Sequence, residues 1–270
     1  MPTITAAMVN ELRAKTGQAM MECKRALTET DGDIEKAVEY FRKKGVKTSI
    51  TERTASEGRL QVGTSADKKV GAIVMVNCNT DFTAKSDPVA NILKVAIDKM
   101  LANPGASVVE DADVKSAVTH VAQQTGENVQ IGRAETLTAP EGGAVGTYVY
   151  VATGKIGALM AFKGQPSEDL VKQLGGHIAF MKPLGLTRDS VPADLVAKER
   201  DIAVEQAKAT GKPQAIAEKI AEGKMNSFFG ERVLPDQEFF NAGVFKGTVA
   251  KYLASEKVEL VKYVLVEVGK

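Results

Sequence analysis

The segment Val70-Gly71-Ala72-Ile73-Val74-Met75-Val76-Asn77-Cys78-Asn79-Thr80-Asp81-Phe82-Thr83 decides the fold class. Val70 to Asn77 is a nearly continuous apolar run of strand length, and it gives way to a polar tip carrying one aromatic, Phe82. Upstream, Leu60 and Val62 alternate with polar residues and Ala66-Asp67-Lys68 supplies turn chemistry, so the run is the second arm of a hairpin. One face of that hairpin must be covered. Val89, Ile92, Leu93, Ala96 and Met100 form an apolar stripe at helical spacing, and Val114, Ala117, Val118 and Val121 form another that Gly126 ends. Val129, Ile131 and Leu137 belong to a returning extended segment.

The same order then repeats. Thr147 to Val151 and Ile156 to Phe162 flank the turn Thr153-Gly154-Lys155, and a helix follows from Ser167 with Leu170, Leu174 and Ile178 on one side. The closing elements of this second unit are postponed to a helix near Thr248 to Ala254 and a strand from Val258 to Val268. Between them Pro192 opens a long helical pattern, Gly211-Lys212-Pro213 breaks it, and a second helix runs toward Phe228, which predicts an inserted antiparallel helical hairpin. Its outer half, rich in Lys, Glu, Gln and Ala, is expected to project into solvent or meet a partner helix.

Before the first hairpin come three short helical patterns. Thr5 caps one through Met8 and Leu12 to Thr16-Gly17; Met20, Cys23 and Leu27 mark the second, which ends before Asp31-Gly32; Asp33 caps a third carrying Ile34, Ala37, Val38 and Phe41, which Gly45 ends. Thr48 to Gly58 is polar and unpatterned and reads as a linker. The expected class is α+β, divided into residues 1–54 (three-helix module and linker), 55–140 (first core subdomain), 141–182 and 229–270 (the two parts of a related second subdomain) and 183–228 (the hairpin).

Composition narrows the function. A chain of 270 residues has room for about two domains of ~150 residues. Lys and Arg number 35 against 34 Asp and Glu, a net charge of +1 that argues against a general binder of phosphate backbones, so direct contact with nucleic acid is not expected. The basic cluster Arg42, Lys43, Lys44 and Lys47 reads as a solvated helix end. No apolar run approaches membrane-span length and no charged-then-apolar leader opens the chain, so a cytoplasmic location without membrane contact is expected. Cys23 and Cys78 stand far apart and form no CxxC pair, so neither a disulfide framework nor a metal site is expected, and Cys78 reads as an inert core thiol. The two histidines, His120 and His177, are few for acid–base chemistry, and no nucleotide-loop, dinucleotide, zinc-protease or nucleophile-elbow string occurs. His177, beside an apolar helix face, reads as structural.

Two strings carry a family resemblance: Leu12-Arg13-Ala14-Lys15-Thr16-Gly17 leading into Met20-Met21-Glu22-Cys23-Lys24-Arg25-Ala26-Leu27, and Val76-Asn77-Cys78-Asn79-Thr80-Asp81-Phe82. Gly211-Lys212-Pro213 with Ile216-Ala217-Glu218-Lys219 and Gly223-Lys224-Met225 extends it across the insertion. The chain resembles the elongation factor Ts family, guanine-nucleotide exchange factors of bacterial and organellar translation. The resemblance implies an N-terminal module similar to ubiquitin-associated domains, two related α+β subdomains and an inserted helical hairpin. It implies one partner, elongation factor Tu in its GDP-bound and nucleotide-free forms, no cofactor and no covalent chemistry. It also implies that Thr80, Asp81, Phe82 and Thr83 meet that GTPase, the Phe wedging between its helices and the Asp and its neighbours disturbing the magnesium region. Met20, Met21, Lys24 and Gly126 match further contacts.

On spacing alone the plainer readings differ: Asp81 caps a helix, Phe82 packs in the core, Met20 belongs to the three-helix core and Gly126 is a helix C-cap. Departures from the family pattern are Asn79 for Gln or Glu, Thr83 for Val, and Tyr150 for a His. The chain stops at Lys270 just after its last strand, so the C-terminal helix of longer members is expected to be missing. Family members occur in one-to-one and in dimer-containing assemblies, so a homodimer or two-plus-two complex is compatible. Two other classes compete: a non-catalytic interaction or chaperone-like protein, and a hydrolase or transferase using carboxylates such as Asp81 with His177.

Overall fold

The computed structural model describes residues 4–44, 54–209, 211 and 213–270. Gly45, Lys47, residues 48–53 of the expected linker and Lys212 lie outside them. Three short helices open the chain: α1 (Ala6–Thr16), α2 (Met20–Glu29) and α3 (Ile34–Lys43). Thr5 Oγ1 accepts from the Met8 N–H and Asp33 from the Lys36 N–H, giving α1 and α3 capped starts, while Gly17 ends α1 at φ 65°. Leu12, Cys23, Ala26, Leu27, Ala37 and Phe41 close a small core between them. Met20 is not part of it. It stands on the first turn of α2, 51% exposed, whereas Cys23 and Leu27 are buried. The helical period puts the three on one side, but Met20 lies a full turn beyond the end of the core.

Two antiparallel three-stranded sheets follow, one built of β1 (Glu57–Thr64), β2 (Val70–Cys78) and β3 (Gln130–Thr138), the other of β4 (Ala144–Val149), β5 (Ile156–Lys163) and β6 (Glu259–Glu267). In each the middle strand is flanked by the other two. The register slips once on the long pairing of each middle strand, between Met75 and Val76 in β2 and between Ala161 and Phe162 in β5, six residues into both. After β2 come a one-turn helix, α4 (Asp81–Ala84), then α5 (Asp87–Ala102) and α6 (Ala112–Thr125); after β5 comes α7 (Glu168–Met181), and α10 (Val249–Ser255) precedes β6.

The molecule is layered helix, sheet, sheet, helix. Ala72, Val74 and Val76 face Val89, Ile92, Leu93 and Ala96 of α5. Ile73 and Met75, pointing the other way, meet Val145, Leu159, Ala161, Val264 and Val266 of the second sheet. Both faces of β2 are therefore buried, which is why its sequence runs apolar without alternation. Each fully buried Ile or Leu there contributes about 1.5–3 kcal/mol. Glycine sets the spacing between sheets at matching second positions of β2 and β5: a Cβ on Gly71 would lie 2.4 Å from Val145 Cγ1, and one on Gly157 2.7 Å from Leu60 Cδ1. Ala158, Met160 and Phe162 point outward to Leu170, Leu174 and Ile178 of α7 and Val249 of α10.

The remaining helices, α8 (Ala193–Lys208) and α9 (Gln214–Arg232), pack on each other through a seam of small residues, Ala203, Ala207, Ala217 and Ala221, closed by Met225. Gly211 stands between them at φ 67°. The second of these helices continues past Phe228 to Arg232, beyond the boundary read from the pattern. The strand expected over Thr147 to Val151 is displaced: β4 ends at Val149, and Tyr150 and Val151 belong to the turn before β5. The Tyr150 N–H donates to Ile156 O while Gly154 N–H turns back to Tyr150 O, closing that turn.

Candidate functional site

Thr80 is the second residue of the loop that follows β2. Its Oγ1 accepts from the Thr83 N–H at 3.3 Å, so Thr80, not Asp81, is the cap of α4. A four-residue helix has one turn and cannot hold itself together by cooperativity, so its order comes from outside. The source is Glu127. Its Oε2 accepts from the N–H groups of Asn79 (3.0 Å) and Thr80 (3.1 Å), and its Oε1 accepts from the hydroxyls of Thr80 (2.6 Å) and Thr83 (2.8 Å). Asn79 adds a second strap, its Oδ1 accepting from Asn128 N–H at 2.8 Å and its Nδ2 donating to Thr54 O at 2.8 Å.

Within this frame the four loop residues divide. Thr83 is buried, and Phe82 is 85% exposed. The core-packing alternative for Phe82 therefore does not hold. Asp81 is exposed and paired with Lys85 at 2.8 Å; that hydrogen bond and charge, with a smaller contribution from Lys155, hold its carboxyl below the usual range. Between the loop and the β4–β5 turn lies a cleft of about 180 Å³, bordered by Asp81, Ala84 and Lys85 on one side and Val151, Gly154 and Lys155 on the other. The turn is fixed to the first sheet: Leu60 N–H donates to Gly154 O at 3.0 Å and Lys155 pairs with Glu57. Val151, as exposed as Phe82, stands at its edge. Tyr150 instead turns to Phe180, with ring centroids 5.4 Å apart.

Gly126 ends α6 in the left-handed conformation at φ 68°, its N–H donating to Ala122 O, so the C-cap reading is correct in geometry. A Cβ added there would lie 3.6 Å from Gly17 O, which places this turn against the α1–α2 connection. Met21 (71% exposed), Met20 and Lys24 stand just beyond that connection with their side chains outward. The structure thus joins Thr80 and Thr83 directly to the neighbour of Gly126. It relates Met20, Met21 and Lys24 to them only through the approach of Gly17 to Gly126.

Glu127 and Val151 escape the sequence pattern. Glu127 lies 44 and 47 positions from its hydroxyl partners, and a carboxylate after a helix-ending glycine carries no local mark of such a role. Val151 fits an alternating strand by composition, and only the turn at Tyr150–Gly154 lifts it out.

Cys23, Cys78 and His177 are committed to packing. Burial, then the nearby Glu127 charge, pushes the Cys78 thiol up to about 11, and burial raises Cys23 as well, so neither is a ready thiolate. His177 is fully buried. Phe240 N–H donates to its Nδ1 at 3.2 Å, which leaves the proton on Nε2 to be donated to Gln237 Oε1 at 2.9 Å. Desolvation pulls its pKa below the ordinary value, the Gln237 hydrogen bond opposing. A His that stays neutral when folded takes up fewer protons than the unfolded chain below pH ~6.5, so stability is complete above that pH and falls as the pH drops below it, by at most about 1.4 kcal/mol per unit. Urea unfolding from about pH 7.5 to 5 is expected to show this slope, and His177→Gln to reduce it. Equal slopes in the two proteins would refute the assignment.

Among the described residues, no three His, Cys, Asp or Glu gather where a metal ion would sit, and no helix is long and apolar enough to cross a membrane. What the scaffold holds out is a surface: this is an α+β protein that presents a stapled, aromatic-tipped loop. Residues 79–270 match the family described as Elongation factor TS. The chain is 40% identical to elongation factor Ts of Methylococcus capsulatus over 277 residues, covering 99% of this chain and 92% of that one. It is 39% identical to elongation factor Ts of Yersinia pestis (100% and 93%) and 37% identical to that of Nautilia profundicola (100% and 94%). The chain belongs to the elongation factor Ts family.

Proposed function

We propose that this chain is a guanine-nucleotide exchange factor of translation, acting in the cytoplasm on elongation factor Tu in its GDP form and forming or breaking no covalent bond. The observation that carries the reading is Phe82, an aromatic 85% exposed on a one-turn helix that is itself tightly hydrogen-bonded. Large aromatics held rigidly at a surface are the residues that dominate binding energy when a partner covers them. Phe82 acts as the wedge between helices of the GTPase. Asp81 beside it disturbs the region that holds magnesium, the largest local charge holding the diphosphate. Thr80 and Thr83 shape the loop, while Met20, Met21, Lys24 and the Gly126 turn supply a second contact at the same end of the chain's first half.

The finer architecture follows the same reading. Helices α1–α3 are a module similar to ubiquitin-associated domains within residues 1–54. Residues 55–140 are one core subdomain and 141–182 with 229–270 a related second one. The α8–α9 pair is the antiparallel hairpin inserted between the latter parts, within 183–228 and the last turn beyond. In a one-to-one or a two-plus-two assembly alike, the loop at Phe82 faces the GTPase.

No energy input is required. Whatever factor this protein imposes on GDP affinity, GDP imposes on its own affinity, so incoming nucleotide ejects it. The test is release of a fluorescent GDP analogue from elongation factor Tu, with excess unlabelled nucleotide and increasing amounts of this protein. Acceleration that grows with concentration is expected; no acceleration by a folded protein toward a GTPase from the same source would overturn the proposal.

A further inference from the structure

We infer that Glu127 is the positioning residue of the exchange loop, an assignment that rests on the function proposed above. An ionised carboxylate offers about four lone-pair sites, and here all four are taken by one loop: two by the N–H groups of Asn79 and Thr80, two by the hydroxyls of Thr80 and Thr83. These anchors bracket Phe82 on both sides. The ring makes no use of the core, so its placement depends on where the backbone of residues 79–83 is held. The Asp81–Lys85 pair cannot hold it, being an exposed i,i+4 contact of little worth.

Glu127 is itself well placed for the task. It is half-buried, its N–H donates to Thr125 Oγ1 at 3.2 Å, and it follows a glycine that fixes the direction of the chain out of α6. The loop therefore takes its orientation from the α6–β3 junction as well as from β2, whose Cys78 Sγ donates to Thr80 O at 3.2 Å. An aromatic on a loop already ordered loses little conformational freedom when a partner covers it, whereas the same ring on a loose loop must be ordered on binding. Thr83, where the family pattern has Val, adds one of the four donors, so this chain grips its loop with a hydroxyl that the pattern lacks.

The chain contains no Trp, so Phe82→Trp creates a single indole fluorophore at the loop tip. Time-resolved anisotropy of that variant is compared with the same variant also carrying Glu127→Ala or Glu127→Gln, and with Thr83→Val as a milder change. The expected result is at least about a twofold rise in the amplitude of fast indole motion for Glu127→Ala and a smaller one for Thr83→Val. Little change is expected for Glu127→Gln, whose amide oxygen accepts from the backbone while its NH2 donates to hydroxyls that can turn to accept. With Phe82 retained, Glu127→Ala is expected to slow GDP release from elongation factor Tu by about tenfold or more, with Glu127→Gln recovering most of the rate. Unchanged indole motion in both Glu127→Ala and Thr83→Val overturns the inference, as does a loosened loop that exchanges at the wild-type rate. Should the wild-type protein fail to release GDP, the exchange role is overturned with the proposed function, and the anisotropy, measured without a partner, still decides the anchoring.

Discussion

Phe82→Ala is expected to slow GDP release from elongation factor Tu by roughly 30-fold or more while leaving the protein as stable as before. The first half follows from the size of an aromatic hot spot, about 2 kcal/mol or greater when truncated at the centre of an interface. The second follows from burial. A side chain 85% exposed has almost no apolar area to lose on truncation, so the unfolding free energy should change by no more than about 0.5 kcal/mol. Stopped-flow release of labelled GDP and urea unfolding measure the two halves separately. A loss of several kcal/mol would mean that Phe82 packs in solution, and the wedge would then have no basis.

Phe162→Ala should behave in the opposite way. Phe162 is fully buried at the register slip of β5 and packs among Leu170, Leu174 and Val249. Removing a ring from such a site costs about 3–5 kcal/mol, the lost transfer energy plus an unfilled cavity. Against a typical total of about 5–15 kcal/mol, that brings the chain near its unfolding threshold. Because Leu159 and Ala161, neighbours on the same strand, face the first sheet, the loss should appear as one shifted transition in urea, not as separate melting of two halves. Below that transition, GDP release should stay near the wild-type rate, since the loop at residues 79–83 lies on the other sheet. A shift smaller than about 1 kcal/mol would show that α7 and α10 close over the gap.

Much of the fold could be read from local chemistry. Thr5 and Asp33 cap the helices that their positions predict, the helix read from Ser167 starts with that residue as its cap, Gly17 and Gly126 end theirs at positive φ, and each hairpin turns at its Gly- or Asp-bearing segment. These signals are legible because each acts within one turn of chain. What stayed hidden depends on partners distant in sequence. The run Val70 to Asn77 demands burial but does not say by what, and the second sheet's Val145 and Leu159 stand far along the chain from Ile73. Helix α4 has no periodic pattern of its own, being held by Glu127. Met20 keeps the spacing of a core residue yet stands exposed, outside the cluster formed by Leu12, Cys23 and Leu27. For the candidate site, spacing alone puts Phe82 in the core and only the family resemblance points it outward, while the carboxylate that fixes the loop leaves no mark in the pattern.

The second sheet is discontinuous in the chain: β5 ends at Lys163 and its partner β6 begins only at Glu259. On a ribosome adding about 5–20 residues per second, those intervening residues take roughly 5–20 s to appear. During that interval β1, β2 and β3 are already made, but the layer that seals Ile73 and Met75 lacks Val264 and Val266. The nascent first half must wait with part of its inner face wet. Sealing is left to β6, so the central layer becomes dry only once residues 259–267 have left the ribosome.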